Sequence, residues 1–195
     1  MKKFELTSET KINIFGKKLF RIKALVSFGV VKTGETGGWV EKEENVNQSG
    51  DAWVFGNAEV FGNARVSGDA WVFGDAEVSG EAEVFGNARV SGNARVSGNA
   101  EVFGDAEVSG NARVFGNARV FGNADYTTIH GFGTQFRTTT FFRCKDKQVK
   151  VSCGCFYGTI PEFREQVKNT RDGKIAEEYL MIADLMEKHF AEEAK

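Results

Sequence analysis

The chain is poor in several residues that usually shape a fold. Its 195 residues include one proline (Pro161), three cysteines, three methionines and two histidines. A single proline excludes collagen-like and proline-rich extended architectures. Three cysteines behind a start, MKKFELTSETKINIF, that has no apolar targeting segment point to free thiols in the reducing cytoplasm. No apolar run approaches the roughly 20 residues needed to cross a membrane. Histidine occurs only at His130 and His189, so acid–base or metal chemistry has few places to reside.

What the chain has instead is a repeat. From Val54 to Asp125 it runs in unbroken six-residue units: VFGNAE VFGNAR VSGDAW VFGDAE VSGEAE VFGNAR VSGNAR VSGNAE VFGDAE VSGNAR VFGNAR VFGNAD. Valine opens each unit, glycine is third, alanine is fifth, and the sixth residue is charged or Trp. Valine is β-branched and suits a buried strand, while alanine is small enough to sit inside a corner. Glycine followed by Asn or Asp supplies residues that tolerate left-handed backbone angles at a tight corner. Three such units close a triangular coil of eighteen residues. Strand side chains alternate, so the residues on either side of each valine point outward. Phe55, Phe61, Phe73, Phe85, Phe103, Phe115 and Phe121 therefore all face away from the coil axis.

Stacking the units by eighteen gives columns of sixth-position residues. One runs Trp53, Trp71, Arg89, Glu107, Asp125, a second Glu59, Glu77, Arg95, Arg113, and a third Arg65, Glu83, Glu101, Arg119. Opposite charges meet at Arg89/Glu107, Glu77/Arg95, Arg65/Glu83 and Glu101/Arg119, and like charges at Glu59/Glu77 and Glu83/Glu101. The gapless period resembles that of left-handed parallel β-helices, aliphatic first and small fifth. A right-handed β-helix is the alternative, although its corners normally vary in length.

The flanks differ in character. Residues 1–39 read as short strands with Phe4, Leu6, Ile12, Ile14, Leu19, Phe20, Ile22 and Leu25 on a buried side, forming an N-terminal β cap. Val40 and Val46 are six apart, so an imperfect first coil begins there and the β-helix is expected over 40–129. Residues 130–195 read as a C-terminal α+β cap. It contains a β-hairpin from RTTTFFRC and QVKVSCGCF, a helix over 161–170 opened by Thr159, Pro161 and Glu162, and a second helix over 174–191. The second helix carries an apolar stripe of Ile175, Tyr179, Ile182, Leu185, Met186 and Phe190. Capping suits a solenoid, whose open ends expose unpaired backbone groups. Charge is uneven: residues 1–39 carry +5 and residues 54–125 carry −5. The acidic coil argues against nucleic acid as a partner, and the basic start reads as a solvated strand face.

The lead-in ETGGWVEKEENV feeding GDAWVFGNAEV resembles YdcK-like β-solenoid proteins of bacteria and phages. The tail VSCGCFYGTIPEF with its helical hairpin resembles a cap on phage and prophage members. The resemblance implies a phage-linked protein. Relatives labelled transferases owe that label to shared fold. Where similar tails carry His-Gly after the first helix, this chain has Arg171-Asp172-Gly173.

Three functional readings follow. The first is a non-enzymatic interaction protein that needs no cofactor and presents flat aromatic and charged faces to itself, as a dimer or trimer, or to a host protein. Its candidate interface residues are Phe55, Phe73, Phe85, Phe103, Phe121, Trp53 and Trp71, because exposed apolar strips mark contact surfaces. Stacking between rungs is the simpler account of the same rings. The second is an acyltransferase-like enzyme using His130 near the C-terminal cap, although the repeat ejects no loop. The third is a zinc site from Cys144, Cys153, Cys155 and His130, with Cys153 and Cys155 on one side of a strand. Buried core thiols are the plainer expectation for the cysteines.

Overall fold

The computed structural model describes residues 2–191, and its architecture is mainly β. Three strands, β1 (Phe4–Ile12), β2 (Lys18–Ala24) and β3 (Thr36–Val40), form an antiparallel meander. Among the described residues, twelve two-residue strands follow, β4 (Trp53–Val54) through β15 (Arg119–Val120). They stack in parallel into three faces. Val54 lies on Val72, Val60 on Val78 and Val66 on Val84, so successive valines occupy different faces and every eighteenth residue meets. The result is the expected parallel β-solenoid, with every repeat valine from Val54 to Val120 and every repeat alanine from Ala58 to Ala118 buried in one continuous core, whereas Ala124 of the last unit is exposed.

The N-terminal meander joins the coil directly. Strand β3 pairs in parallel with β5, Trp39 on Glu59 and Val40 on Val60, and Val46 bridges Val66. The lead-in thus forms the imperfect first coil. Its Gly37 and Gly38 are there for close approach. A Cβ on Gly38 would come within 2.5 Å of the Val54 side chain and 2.8 Å of the Ala58 carbonyl.

Two buried polar side chains close this end. Asn45 is fully buried. Its Nδ2 donates to the carbonyls of Ala64 (2.8 Å) and Gly62 (3.2 Å), and its Oδ1 accepts from the Lys42 amide (2.9 Å). Lys3 donates from Nζ to the Ala52 and Gly50 carbonyls at 2.8 and 3.1 Å, beneath the Phe28 ring. Burial holds the Lys3 ammonium down to a pKa of about 8, with Asp51 and Asp69 opposing.

The N-terminal meander buries less than its sequence suggests. Phe4, Leu19 and Ile22 are buried, whereas Ile12, Ile14 and Leu25 are exposed, Ile14 at 81 %. Asn13 and Gly16 turn the chain at the tip of the β1–β2 hairpin, beyond anything that could cover Ile12 and Ile14. At the corners of the coil only the glycines take left-handed angles, Gly74 at φ +73° for example, and the following Asn or Asp does not. Those polar residues instead bond to their counterparts one coil on, as in Asn57 to Asp75 (3.2 Å) and Asn87 to Asp105 (3.0 Å).

The C-terminal cap is larger than a hairpin. Strands β16 (Tyr126–Phe132), β17 (Arg137–Arg143), β18 (Val149–Cys153) and β19 (Phe156–Thr159) form an antiparallel sheet in chain order. Helices α1 (Ile160–Thr170) and α2 (Gly173–Phe190) cover one of its faces, packing Phe163, Val167, Tyr179, Ile182 and Met186 on Phe141 and Val151. Thr159 and Glu162 form the expected capping box on α1, while Leu185 of the expected α2 stripe is exposed at 58 %. The other face seals the coil. Phe142 and Cys144 join the solenoid core, Cys144 bridges Ala118, and the Lys145 amide donates to the Asn117 carbonyl.

Candidate interaction surfaces

The outward phenylalanines meet three fates, set by which face they occupy. On the face carrying β5 and β14 the caps fold over both ends of the column. Phe61 is buried among Leu19, Trp39 and Phe15, and Phe115 lies under Tyr157 and Phe142 at centroid distances of 4.6 and 5.9 Å. On the face carrying β4 and β7, Trp53 is completely buried between Phe4 and Phe28, so this expected interface residue offers no surface. The N-terminal meander reaches over it. Trp71, one rung on, stays half-buried between the Phe55 ring (5.5 Å) and the Arg89 guanidinium (5.0 Å), and Phe73 is also half-buried.

The third face, carrying β6, β9, β12 and β15, has a ladder whose Phe85 and Phe103 are half-buried and whose Phe121 is exposed. Phe85 and Phe103 stack at 4.9 Å with planes 10° apart, and Phe103 meets Phe121 at 5.2 Å. Phe121 is 61 % exposed. Beside this ladder runs the column Arg65, Glu83, Glu101, Arg119 in the expected register. Arg119 lies 3.7 Å from Glu101 and also over the Phe103 ring, and Lys145 from the cap adds a 2.8 Å contact to Glu101. Arg89–Glu107 and Arg95–Glu77 pair at 3.6 and 3.7 Å, but Arg65 and Glu83 stay farther apart than an ion pair. At Glu77 burial outweighs Arg95 and, with help from Glu59, pushes the carboxyl pKa up.

A separate groove of about 740 Å³ lies where the cap meets the coil. Arg95 and Arg113 supply its coil side, and His130, Phe136 and Arg137 its cap side. His130 is exposed, with Nδ1 3.2 Å from Thr138 Oγ1. Cys155 is on the rim, but the three thiols do not converge. Cys153 ends β18 and accepts from Thr139 Oγ1 at 3.1 Å, and Cys155 sits in the two-residue Gly154-Cys155 turn that reverses the chain. The two are therefore not neighbours along one strand, because Gly154 takes φ +62° and starts a turn. Cys144 lies at the opposite end of β18, buried, where desolvation pushes its pKa up to about 11. Among the described residues no group of three His, Cys, Asp or Glu side chains could hold a metal ion.

No helix among the described residues is long and apolar enough to cross a membrane. No curated protein matches the chain. A family model of the YdcK beta solenoid repeat matches residues 58–74, 78–98, 88–104 and 106–122. All four segments lie within the stacked hexads, and over them the chain is similar to the YdcK beta solenoid repeat.

Proposed function

We propose that the chain is a non-enzymatic interaction protein, phage-encoded and cytoplasmic in its host, whose solenoid presents the Phe85–Phe103–Phe121 ladder to a partner. The carrying observation is that both caps bury aromatic residues elsewhere on the coil yet leave Phe121 exposed and Phe85 and Phe103 only half-buried. Removing a fully exposed phenylalanine from water is worth about 1.5–3 kcal/mol, and the half-buried Phe85 and Phe103 add a smaller share beside Phe121. The fitting occupant is a second copy of the chain. The flanking column carries two acids and two bases, so identical copies offer each other both signs along the rim. A dimer or trimer built this way serves as a scaffold in a particle or as a blocker of a host factor.

Light scattering on the purified chain tests this reading. An oligomer that dissociates when Phe85, Phe103 and Phe121 are all changed to Ser supports it. A monomeric wild type, or an oligomer indifferent to those changes, overturns it. The acyltransferase-like reading draws on one observation, that His130 lines a groove large enough for a small ligand. Calorimetric titration with an acyl-CoA, repeated on His130→Ala, separates the two readings.

A further inference from the structure

The groove between coil and cap is basic. The repeat is acidic overall, with five basic and ten acidic residues between 54 and 125. A small neighbouring hollow of about 190 Å³ carries Arg137 and Arg171 without a carboxylate, whereas two others, both on the coil, mix signs. One beside the ladder contains Glu43, Glu44 and Glu83 with Arg65, and another contains Asp51, Asp69, Asp105 and Glu107 with Arg89. The groove at the cap contains Arg95, Arg113, Arg137 and His130 with the amides of Asn93 and Asn111, and no carboxylate lines it.

A second observation concerns register. Strand β11 lies on β14 with Arg95 directly opposite Arg113. Like charges in directly opposed positions repel, and each such pair in the coil has at least one member offset within the chain. Glu59 has Lys11 at 2.8 Å, and Glu101 has Lys145 and Arg119. Arg95 leans to Glu77, away from the groove end, at 3.7 Å. Neither Arg113 nor Arg137 has a carboxylate within ion-pair distance among the described residues. Arg113 is held at its backbone, where its amide donates to Thr140 Oγ1 of the cap at 3.0 Å. Arg137 is seated over Gly154, where a Cβ would lie 2.5 Å from its Nη1. Two guanidinium groups from two different elements thus converge on one concavity with their charge uncompensated.

We propose that this groove is a binding site for a small phosphate-bearing anion, with Arg113 and Arg137 gripping the phosphate and Arg95 lending charge from the next rung. Guanidinium forks present paired N–H donors matched to phosphate oxygens, and the amides of Asn93 and Asn111 add neutral donors along the same wall. The donor set exceeds what one carboxylate can accept and suits a dianion with three terminal oxygens. At about 740 Å³ the groove leaves room for the organic part of a small ligand beside its phosphate. The exposed Phe136 ring, which also lines it, provides an apolar surface for that part. This site is independent of the phenylalanine ladder, which lies on another face.

Inorganic pyrophosphate titrated calorimetrically into the full chain is the direct probe, with adenosine monophosphate and citrate as parallel arms. Saturable binding of pyrophosphate, tighter than citrate, is expected, as is slower alkylation of Cys155 on the rim when pyrophosphate is present. Arg113→Gln and Arg137→Gln should each weaken binding about tenfold, the loss of one charge-assisted contact. Arg113→Lys should retain part of the affinity, and Arg89→Gln, in the acidic hollow, should leave it unchanged. Circular dichroism melts of each variant establish that the chain still folds. Tighter binding of adenosine monophosphate than pyrophosphate identifies a nucleoside phosphate as the better ligand and also supports the site. No saturable binding at millimolar pyrophosphate, equal binding of citrate, or equal loss in Arg89→Gln overturns the proposal.

Discussion

Phe85 and Phe103 stack nearly face to face across one rung of the coil, and Phe121 continues the ladder at a tilt of 59°. Phe103 therefore has an aromatic neighbour on both sides. Phe103→Ser should lower the stability of the single chain by about 0.5–1.5 kcal/mol through lost ring contacts. In an oligomer joined through the ladder, the wild-type melting temperature also rises with protein concentration, because binding stabilises only the folded state. Melts of wild type and Phe103→Ser over a hundredfold concentration range read both effects. A concentration-independent wild type would leave the ladder with an intramolecular role alone.

Gly38 lets β3 seat against the first full coil. Gly38→Ala places a methyl group against the Val54 side chain and the Ala58 carbonyl, with backbone on one side and core on the other. Overpacking of this kind costs about 1–3 kcal/mol. Gly122→Ala is the control, since a Cβ there meets nothing within 4 Å. Urea unfolding of the two variants should show the loss for Gly38→Ala alone.

Asn45 substitutes for a coil corner that the lead-in lacks. Its side chain donates to the Gly62 and Ala64 carbonyls and accepts from the Lys42 amide, all at the end of the core. Asn45→Leu keeps the branching of the side chain but strands those backbone groups, at about 1–3 kcal/mol for each buried group left unpaired. Denaturant midpoints should fall accordingly, and amide exchange should accelerate first at Lys42 and in the strand at Arg65–Val66. A midpoint unchanged by Asn45→Leu would mean that water reaches this end of the core.

The coil was legible because its signal is redundant. Each valine column repeats the same inside–outside choice, so Val54 on Val72 follows from period alone. What the caps cover was not legible. Trp53 and Trp71 occupy the same position of the repeat, yet one is buried and the other half-exposed, because only Trp53 lies within reach of Phe4 and Phe28. The exposure of Ile12 and Ile14 was hidden for the same reason, since alternation in a hairpin does not say where its cover ends. Gly154 carried a usable signal. A glycine between two strand-like triplets, Val-Ser-Cys and Cys-Phe-Tyr, marks a two-residue turn and separates the two thiols. The arginine groove depends on β16 and β17 returning beside Arg95 and Arg113, a long-range contact that no local pattern reports.

Lys3 and Cys144 seal opposite ends of the core, and their titrations work against each other. Burial lowers the Lys3 pKa from 10.5 to about 8, so between those values the unfolded chain keeps a proton that the folded chain has lost. Stability then rises with pH across that window, and the Lys3 contribution disappears as pH falls through 8. Burial, helped by Asp146 and opposed by Lys150, raises the Cys144 pKa from 9.0 to about 11. Here the unfolded thiol ionises first, so the contribution is complete below pH 9 and is lost as pH rises through 11. Melting temperatures between about pH 7 and 11 should separate the two. Lys3→Met removes the gain above pH 8 and leaves a steeper alkaline decline. Cys144→Ala removes part of that decline and lets the Lys3 gain persist to higher pH. Profiles for both variants that run parallel to wild type across this range would show that neither group is buried enough to titrate differently in the folded chain.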